Sequence, residues 1–291
     1  MDELREILIK YKDMDFDETL GNFDSLVDFS AVFYRDVAEI YDAVTRTRNL
    51  GRNPVGFQIN DAAILGLLVR IWKILKEIVY YYEKKNADII GLLDRQVIEA
   101  AVTAKYLLLN GDDVIEDYRR CSYKSRLQTL KRAAESPEFF ETPPGRRLLE
   151  SIRKKLENDG FTEDSFGIQR ENRWRLQGKT FYQIFSELEN EEFYKFLYGM
   201  PSEALHGSWN ESLDYDLARN DDGTFKAYPF YQKVDIRFVT PILRLCHDPY
   251  LLWMKRVKIE HKYLSQCLEW TRRVNVRLFD AFENAFKNKY G

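Results

Sequence analysis

Apolar positions in the first third of the chain recur at helical spacing. Over 25–48 they fall three and four residues apart, which predicts an amphipathic helix. The sequence GRNPVG at 51–56 interrupts the pattern, because proline and glycine disfavour a continuing helix. Asn60 or Asp61 can begin the next helix by accepting a backbone N–H, and the apolar pattern then continues to about Lys85.

A third predicted helix, over 87–109, is apolar almost all round. Most of its aliphatic residues share one broad face, yet Ile98, Val102 and Leu109 lie on the opposite side. A helix of this kind usually occupies the centre of a bundle. The pattern predicts a fourth helix over 113–134.

The second half of the chain alternates between helical and irregular segments. After Pro249 neither glycine nor proline occurs before Gly291, which predicts one long helix over 249–290. Residues 1–21 are charged and weakly patterned, and we expect an arm or a short helix there. The remaining predicted segments are a loop at 136–145, a helix at 146–159, an unpatterned stretch at 160–178, one or two helices at 180–199, an irregular segment at 207–233 and a helical segment at 235–245. The sequence therefore predicts one all-α domain over 1–291, a helical bundle with an irregular insertion and a long C-terminal helix.

Composition supports helices and restricts the function classes. Only 14 Gly and 8 Pro are present, and strand-rich proteins need more turns than these residues allow. The 44 basic and 47 acidic residues give a net charge of −3, whereas a dedicated nonspecific nucleic-acid binder is normally basic.

Cysteine, histidine and apolar runs set further expectations. The 3 Cys are scattered without CxxC spacing, which fits a reducing cytoplasm, and the 3 His are too dispersed for a zinc site. We expect neither a metal nor another cofactor. The N-terminus lacks an apolar leader, and the longest apolar run, at 62–69, is too short to span a bilayer. We therefore expect a cytoplasmic protein with no membrane partner.

Arg95 and Glu99 form the first candidate site. Their spacing of four residues places them on one helix face. In one interpretation they are a surface ion pair, worth about 0–1 kcal/mol. In the other, Ile98 and Val102 beside them place the pair partly inside the bundle, where buried charges need partners and are candidate functional groups. Both interpretations stay open.

Ser202 and His206 form the second candidate, on a short helical turn between Pro201 and Gly207. A structural interpretation makes Ser202 the N-cap and His206 a cation that favours the helix C-terminus. A functional interpretation makes His206 a general acid or base, because the imidazole pKa lies near neutrality. Asn210, four residues further on, can then orient a ligand.

Arg256 and His261 form the third candidate, an Arg-x4-His pair in the predicted C-terminal helix. In a ribonuclease, such an arginine stabilises charge on the transferring phosphate and the histidine moves the proton of the 2′-hydroxyl. Five residues turn a straight helix by about 500°, so the two side chains would not share a face. The pair is therefore the weaker alternative.

An ordered set of short motifs extends over roughly 60–210. The motif positions are Arg70 in LLVRIW, Arg95 and Glu99 in RQVIEAAVTAKYLL, and Tyr198, Ser202, His206, Gly207 and Ser208 in YGMPSEALHGS. In this order they resemble the bacterial domain-of-unknown-function family 5677. More distantly, that family is similar to the helical HEPN nucleases and nucleotide-binding domains of bacterial defence and toxin systems. The resemblance implies a helical bundle, a homodimer and cleavage of RNA.

The resemblance has one departure from the HEPN pattern. Gly199, Met200 and Pro201 precede His206 where a HEPN arginine is expected, and the Arg-x4-His at 256–261 lies outside the matched region. We therefore expect a site between helices with His206, Arg95 and Glu99 as catalytic residues. The expected ligand-binding residues are Arg70, Tyr106, Tyr198, Ser202 and Asn210.

Two functional hypotheses follow. In the first, the protein is a metal-independent ribonuclease or nucleotide-binding protein of bacterial defence or stress. Arg95 then binds phosphate, His206 moves a proton and Glu99 orients one of them. In the second, the protein is a non-enzymatic sensor or interaction module, and the Arg, Glu and His side chains form a structural network that fixes helix register.

Overall fold

The computed structural model describes residues 2–11, 20, 23–162, 165–166, 174–199 and 208–290. Most of them are helical, which confirms the predicted all-α class. The helices are α1 (Asp2–Lys10), α2 (Phe23–Arg46), α3 (Ile59–Glu83), α4 (Ala87–Asn110), α5 (Asp112–Cys121), α6 (Lys124–Glu135), α7 (Pro143–Asn158), α8 (Phe181–Leu188), α9 (Glu191–Phe193), α10 (Trp209–Glu211), α11 (Thr240–Arg256) and α12 (Lys262–Tyr290). Shorter elements are π-helical turns at Tyr194–Gly199 and Ser212–Asp216, a 3₁₀ turn at Ile236–Phe238 and two strands, β1 (Leu217–Arg219) and β2 (Phe225–Ala227).

Helix α4 is central in the bundle, as its sequence predicts. It packs against α3 on one side and α11 on another, and α8 covers a third part of it. Ile98 and Val102, on the far side from the main apolar face, are buried together with Ala101 and Ala104. Alanines let neighbouring helices approach closely, so a helix rich in them suits this position. Gly111 ends α4 with φ of 86°, a conformation that glycine adopts at little cost.

Helices α2, α3, α4, α11 and α12 enclose the main core, and aromatic side chains with polar tips set their register. The rings of Tyr41 on α2 and Tyr250 on α11 stack with centroids 3.9 Å apart. Tyr250 donates its hydroxyl to the Leu68 carbonyl at 2.7 Å, and Tyr34 pairs with Thr240 Oγ1 at 2.8 Å. Because a buried hydroxyl needs a partner, each bond favours one register between helices.

A second, smaller core lies between α6 and α7. Its members are Tyr123, Leu127, Leu130, Ile152, Leu156, Phe161 and Phe166. Arg119 on α5 connects this unit to the bundle. It donates to Asp159 Oδ1 at 2.7 Å and to Asn60 Oδ1 at 3.1 Å.

The predicted helix over 249–290 is wrong, because the chain forms two helices there. Helix α11 ends at Arg256, and Lys258 adopts φ of 53°. The Ile259 N–H then bonds the Met254 carbonyl at 2.9 Å, and the Lys258 N–H bonds the Lys255 carbonyl at 3.3 Å. This is a Schellman ending, which usually contains glycine at the position of Lys258, so the usual sequence signal for a helix end is absent.

Three other boundaries differ from prediction. The helix predicted over 113–134 is two helices, α5 and α6, separated by a turn at 122–123. The irregular segment at 207–233 contains the antiparallel pair β1–β2, closed through Gly223 with φ of 85°. The segment predicted as helical at 235–245 contains a 3₁₀ turn at Ile236–Phe238, and α11 begins at Thr240 with Pro241 in its first turn, where a missing N–H costs no hydrogen bond.

Candidate functional site

Arg95 and Glu99 are in contact on α4. Arg95 Nε donates to Glu99 Oε1 at 3.1 Å, in agreement with their spacing of four residues. Tyr198, in the π-helical turn after α9, donates its hydroxyl to the same oxygen at 2.5 Å. The Arg95 side chain is 28% exposed and that of Glu99 is 45% exposed. The pair is therefore neither fully buried nor an isolated surface ion pair, because a third residue from another helical element completes it.

The Tyr198 ring also lies against the Arg95 guanidinium. Arg95 Cζ lies 4.5 Å from the centroid of the Tyr198 ring, a cation–π contact. Tyr198 packs against Phe181 and Tyr194, with ring centroids 4.8 and 5.0 Å away. Burial, and then the hydrogen bond to the Glu99 carboxylate, raises the pKa of Tyr198, so its hydroxyl stays protonated at neutral pH. The cluster thus holds a cation in one orientation at the edge of the bundle.

Two further cations contact α4. Arg70 on α3 donates from Nη2 to Gln96 Oε1 at 2.7 Å. Lys179, just before α8, places its Nζ 5.5 Å from the centroid of the Tyr106 ring. Gln96 follows Arg95 directly in α4 and is rotated about 100° from it, so Arg70 lies on the neighbouring face of the helix. Tyr106 is buried, with 3% exposure, and presents its ring to Lys179.

Arg95, Glu99 and Tyr106 share one face of α4, and Arg70 and Lys179 contact the helix at Gln96 and Tyr106. Arg95, Glu99 and Tyr106 lie within about 40° of one another around the helix axis. We name the three cations Arg70, Arg95 and Lys179, with the rings of Tyr106 and Tyr198, the α4 basic surface. The rings of Tyr106 and Tyr198 are buried, at 3% and 7% exposure, so they position the cations and the cations are the groups open to a ligand.

Sequence reasoning found four of these five residues and missed Lys179. Lys179 follows a stretch without helical period, so no pattern pointed to it. A local signal exists in the next residue, since Thr180 and Gln183 form a capping box at the start of α8. That motif marks the helix start but does not show that Lys179 lies over Tyr106, because this contact joins distant parts of the chain.

Three other predicted site residues are not part of the surface defined above. Ser202 and His206 lie at 200–207, outside the described residues. Asn210 is exposed on α10, and within the described part of the chain it makes no hydrogen bond to Arg95 or Glu99.

The structure separates Arg256 from His261. Arg256 ends α11 and donates to Asp61 Oδ1 at 2.6 Å and Asp112 Oδ1 at 2.5 Å, which ties α11 to α3 and α5. His261 precedes α12, and its Nδ1 accepts the Leu264 N–H at 3.2 Å as a helix cap. Because a turn lies between them and each has a structural partner, the Arg-x4-His pair does not form a site. The prediction that both residues lie on one helix is wrong.

Other chemistry is sparse in the described residues. Cys121, Cys246 and Cys267 are buried free thiols. Across the described ranges, no group of three or more His, Cys, Asp or Glu side chains is arranged to hold a metal ion. In the same residues, no helix combines the length and the apolar character needed to cross a membrane.

The fold and surface define an all-α bundle protein with an Arg–Glu–Tyr cluster on its central helix. Residues 61–224, more than half of the chain, match the family model described as a family of unknown function (DUF5677). The chain belongs to this family. The match includes Arg70, Arg95, Glu99, Tyr106 and Tyr198. No curated protein and no solved structure matches the chain.

Proposed function

We propose that the α4 basic surface binds phosphate groups of RNA or a nucleotide. One observation carries this proposal: the Arg95 guanidinium lies against the Tyr198 ring and donates to Glu99 while 28% of its side chain stays exposed. A fixed, partly exposed guanidinium matches phosphate geometry and loses little conformational entropy on binding. Arg70 adds positive charge on the neighbouring face of α4, whereas the charge of Lys179 is largely balanced by Glu187, whose Oε1 lies 2.5 Å from its Nζ.

The catalytic part of the proposal concerns His206. In this hypothesis Arg95 binds a phosphate, and His206 moves the proton of a 2′-hydroxyl without a metal. Glu99 orients Arg95, a role supported by the 3.1 Å contact between them. The wider proposal, drawn from the sequence resemblance, is a homodimeric HEPN-like protein of the bacterial cytoplasm that acts in antiviral defence or stress.

Binding tests the first part directly. We expect the purified protein to bind a short single-stranded RNA, and Arg95→Ala to weaken this binding about tenfold, the loss typical of one charged phosphate contact. Arg126→Ala is the matched control. Arg126 also lies over a tyrosine ring, 5.3 Å from the Tyr123 centroid, but on α6. Equal affinities of the Arg95→Ala variant and wild type would overturn the proposed surface.

Cleavage tests the second part. With the same RNA, we expect His206→Ala to abolish turnover and to leave binding within about twofold of wild type. Cleavage by His206→Ala at the wild-type rate would remove His206 from the mechanism. Binding without cleavage by wild type would leave a nucleotide sensor and reject the nuclease.

A structural role is the second candidate function. Its support is that Glu99 accepts hydrogen bonds from both Arg95 and Tyr198, which connects α4 to the turn after α9. In this hypothesis the protein is a sensor or interaction module. Tyr198→Phe then lowers the melting temperature and leaves RNA affinity unchanged. The phosphate hypothesis expects both Tyr198→Phe and Arg95→Ala to fold stably, with only Arg95→Ala losing affinity.

A further inference from the structure

A cavity of about 640 Å³ lies between α11, α12 and the segment around α9, and no residue of the α4 basic surface lines it. This volume is typical of small-molecule sites. Residues three, four and seven positions apart on α11 and α12 face it, so each helix contributes one stripe of side chains. The lining that matters here comprises Arg244 and His247 of α11, Arg272 and Asn275 of α12, and Phe193 and Phe196.

Two buried polar side chains in this wall have unused hydrogen-bonding atoms. His247 is 4% exposed and Asn275 is 6% exposed. Among the described residues, neither ring nitrogen of His247 has a partner, and neither does Asn275 Oδ1. Asn275 Nδ2 donates to the Thr240 carbonyl at 3.0 Å, which sets the orientation of the amide. The amide oxygen is then available to accept a hydrogen bond from a ligand. A buried polar atom without a partner lowers the stability of the folded protein by its desolvation penalty. A ligand that forms a hydrogen bond to such an atom offsets that penalty, which adds to the binding free energy.

The charges of the wall favour an anion. Lys105 is neutralised by Glu189 and Asp248, whose oxygens lie 2.7 and 2.8 Å from its Nζ. No carboxylate of the described residues lies within ion-pair distance of Arg244 or Arg272. These two arginines can therefore bind an anionic group of a ligand.

The aromatic residues favour a flat ring. Phe193 and Phe196 line one side of the cavity, and Phe279 lines another. Arg244 Cζ lies 4.6 Å from the centroid of the Phe193 ring, which brings the cation next to an apolar wall. An apolar ring and an anionic group can thus be accommodated side by side.

We propose that this cavity binds a small heteroaromatic anion. Its ring lies between the phenylalanines, its polar edge faces His247 and Asn275, and its phosphate or carboxylate contacts Arg272 and Arg244. The neutral His247 imidazole offers one donor and one acceptor, and Asn275 Oδ1 offers a second acceptor. To pair with all three atoms, the ring edge of the ligand needs two donors and one acceptor. The unpaired atoms of His247 and Asn275 have almost no solvent-accessible area. Neighbouring side chains must therefore shift before the ring edge of the ligand can reach them.

Isothermal titration calorimetry with three probes tests this site. Adenosine monophosphate represents a phosphate, adenine-9-acetate represents a carboxylate on the same ring, and octanoate is a carboxylate without a ring or a polar edge. We expect one or both ring probes to bind at 1:1 stoichiometry with Kd below about 1 mM, and octanoate to bind at least about tenfold more weakly. The ring probe that binds identifies the anionic group.

Neighbouring arginines on α12 supply a matched pair of variants. We expect Arg272→Ala to weaken the bound probe about tenfold and Arg273→Ala, outside the lining, to change Kd by less than about twofold. His247→Leu should also weaken binding; if it fails to fold, the arginine pair alone decides. The proposal is overturned if neither ring probe binds, if octanoate binds as tightly, or if both arginine variants behave alike.

This inference does not rest on the proposed RNA or nucleotide function. Arg95 is outside the cavity, so Arg95→Ala should bind the ring probe with unchanged Kd. Loss of RNA binding in Arg95→Ala with intact probe binding would support both sites. Loss of probe binding in Arg95→Ala would place the probe on the α4 basic surface and overturn the cavity site.

Discussion

Arg119 and Arg95 have the same kinds of neighbour, but they differ in burial and in how far along the chain their carboxylate partner lies. Arg119 lies 4.9 Å from the Phe161 ring centroid, and Arg95 lies 4.5 Å from that of Tyr198. Each also donates to a carboxylate. The Arg119 side chain is 11% exposed, against 28% for Arg95.

The partners explain the difference. Arg119 donates through two nitrogens to Asp159 Oδ1, at 3.1 and 2.7 Å, and through one of them to the Asp159 carbonyl at 2.6 Å. It connects α5 to the end of α7, 40 residues away. Glu99, in contrast, is only four residues from Arg95. A long-range contact holds two units together, whereas a local contact can orient a side chain without holding the fold.

The first prediction concerns stability, where the contrast should be largest. Arg119→Ala should lower the free energy of unfolding by about 2–3 kcal/mol, because it leaves Asp159 partly buried without its partner. Urea denaturation monitored by circular dichroism measures this. Arg126→Ala, an arginine over Tyr123 in the smaller core, should cost less than about 1 kcal/mol. Similar losses for the two variants would show that the Asp159 contact is not structural.

The second prediction concerns Arg95. Arg95→Ala should cost less than about 1 kcal/mol of stability, because its ion pair is local and partly exposed. The same variant should lose about tenfold in RNA affinity, or about 1.4 kcal/mol. Urea denaturation and fluorescence anisotropy on one preparation measure both quantities. A stability loss as large as that of Arg119→Ala would reverse the comparison and favour the structural hypothesis.

The third prediction extends the comparison to a buried titratable group, the His247 imidazole. Burial lowers the pKa of His247, and Arg272 lowers it further, while Asp248 and Glu269 oppose them. The unfolded chain therefore binds a proton at this residue more readily than the folded chain. Its contribution is fully present above the ordinary histidine pKa of about 6.5 and is lost as the pH falls below that value.

Urea midpoints at pH 7.5 and 5.5 test this sign. Wild type should lose more stability between these values than His247→Leu does, because only the wild-type chain gains a proton-binding histidine at this position when it unfolds. Comparing the two proteins removes the contribution of the other titrating groups. An equal pH dependence would show that His247 has the same pKa in both states.

The fourth prediction has the smallest effect. Glu99→Gln removes a negative charge beside Arg95 and keeps an oxygen that can accept its hydrogen bond. Phosphate affinity should rise about threefold, since a like charge a few ångströms from the bound anion is worth somewhat less than 1 kcal/mol near water. Anisotropy with the same RNA measures the change. A fall in affinity would mean that the carboxylate is needed to orient Arg95.

The helix pattern and the local Arg95–Glu99 contact could be predicted because they depend on nearby residues. The sequence predicted α4 over 87–109, and the structure has Ala87–Asn110. It failed at Lys258, because a lysine in a left-handed conformation has no distinctive local pattern. That turn is held by the surrounding packing, in which Val257 and Ile259 are buried.

The sequence by itself determined the helical class, the central position of α4 and the shared face of Arg95 and Glu99, because these follow from a period of 3.6 residues. Only the tertiary structure decided that Tyr198 completes the cluster and that Lys179 extends it. It alone also placed Arg256 and His261 in separate contacts and brought His247 and Asn275 to one cavity. Those outcomes depend on contacts between residues far apart in the chain, which compete with many alternative pairings until the whole core packs.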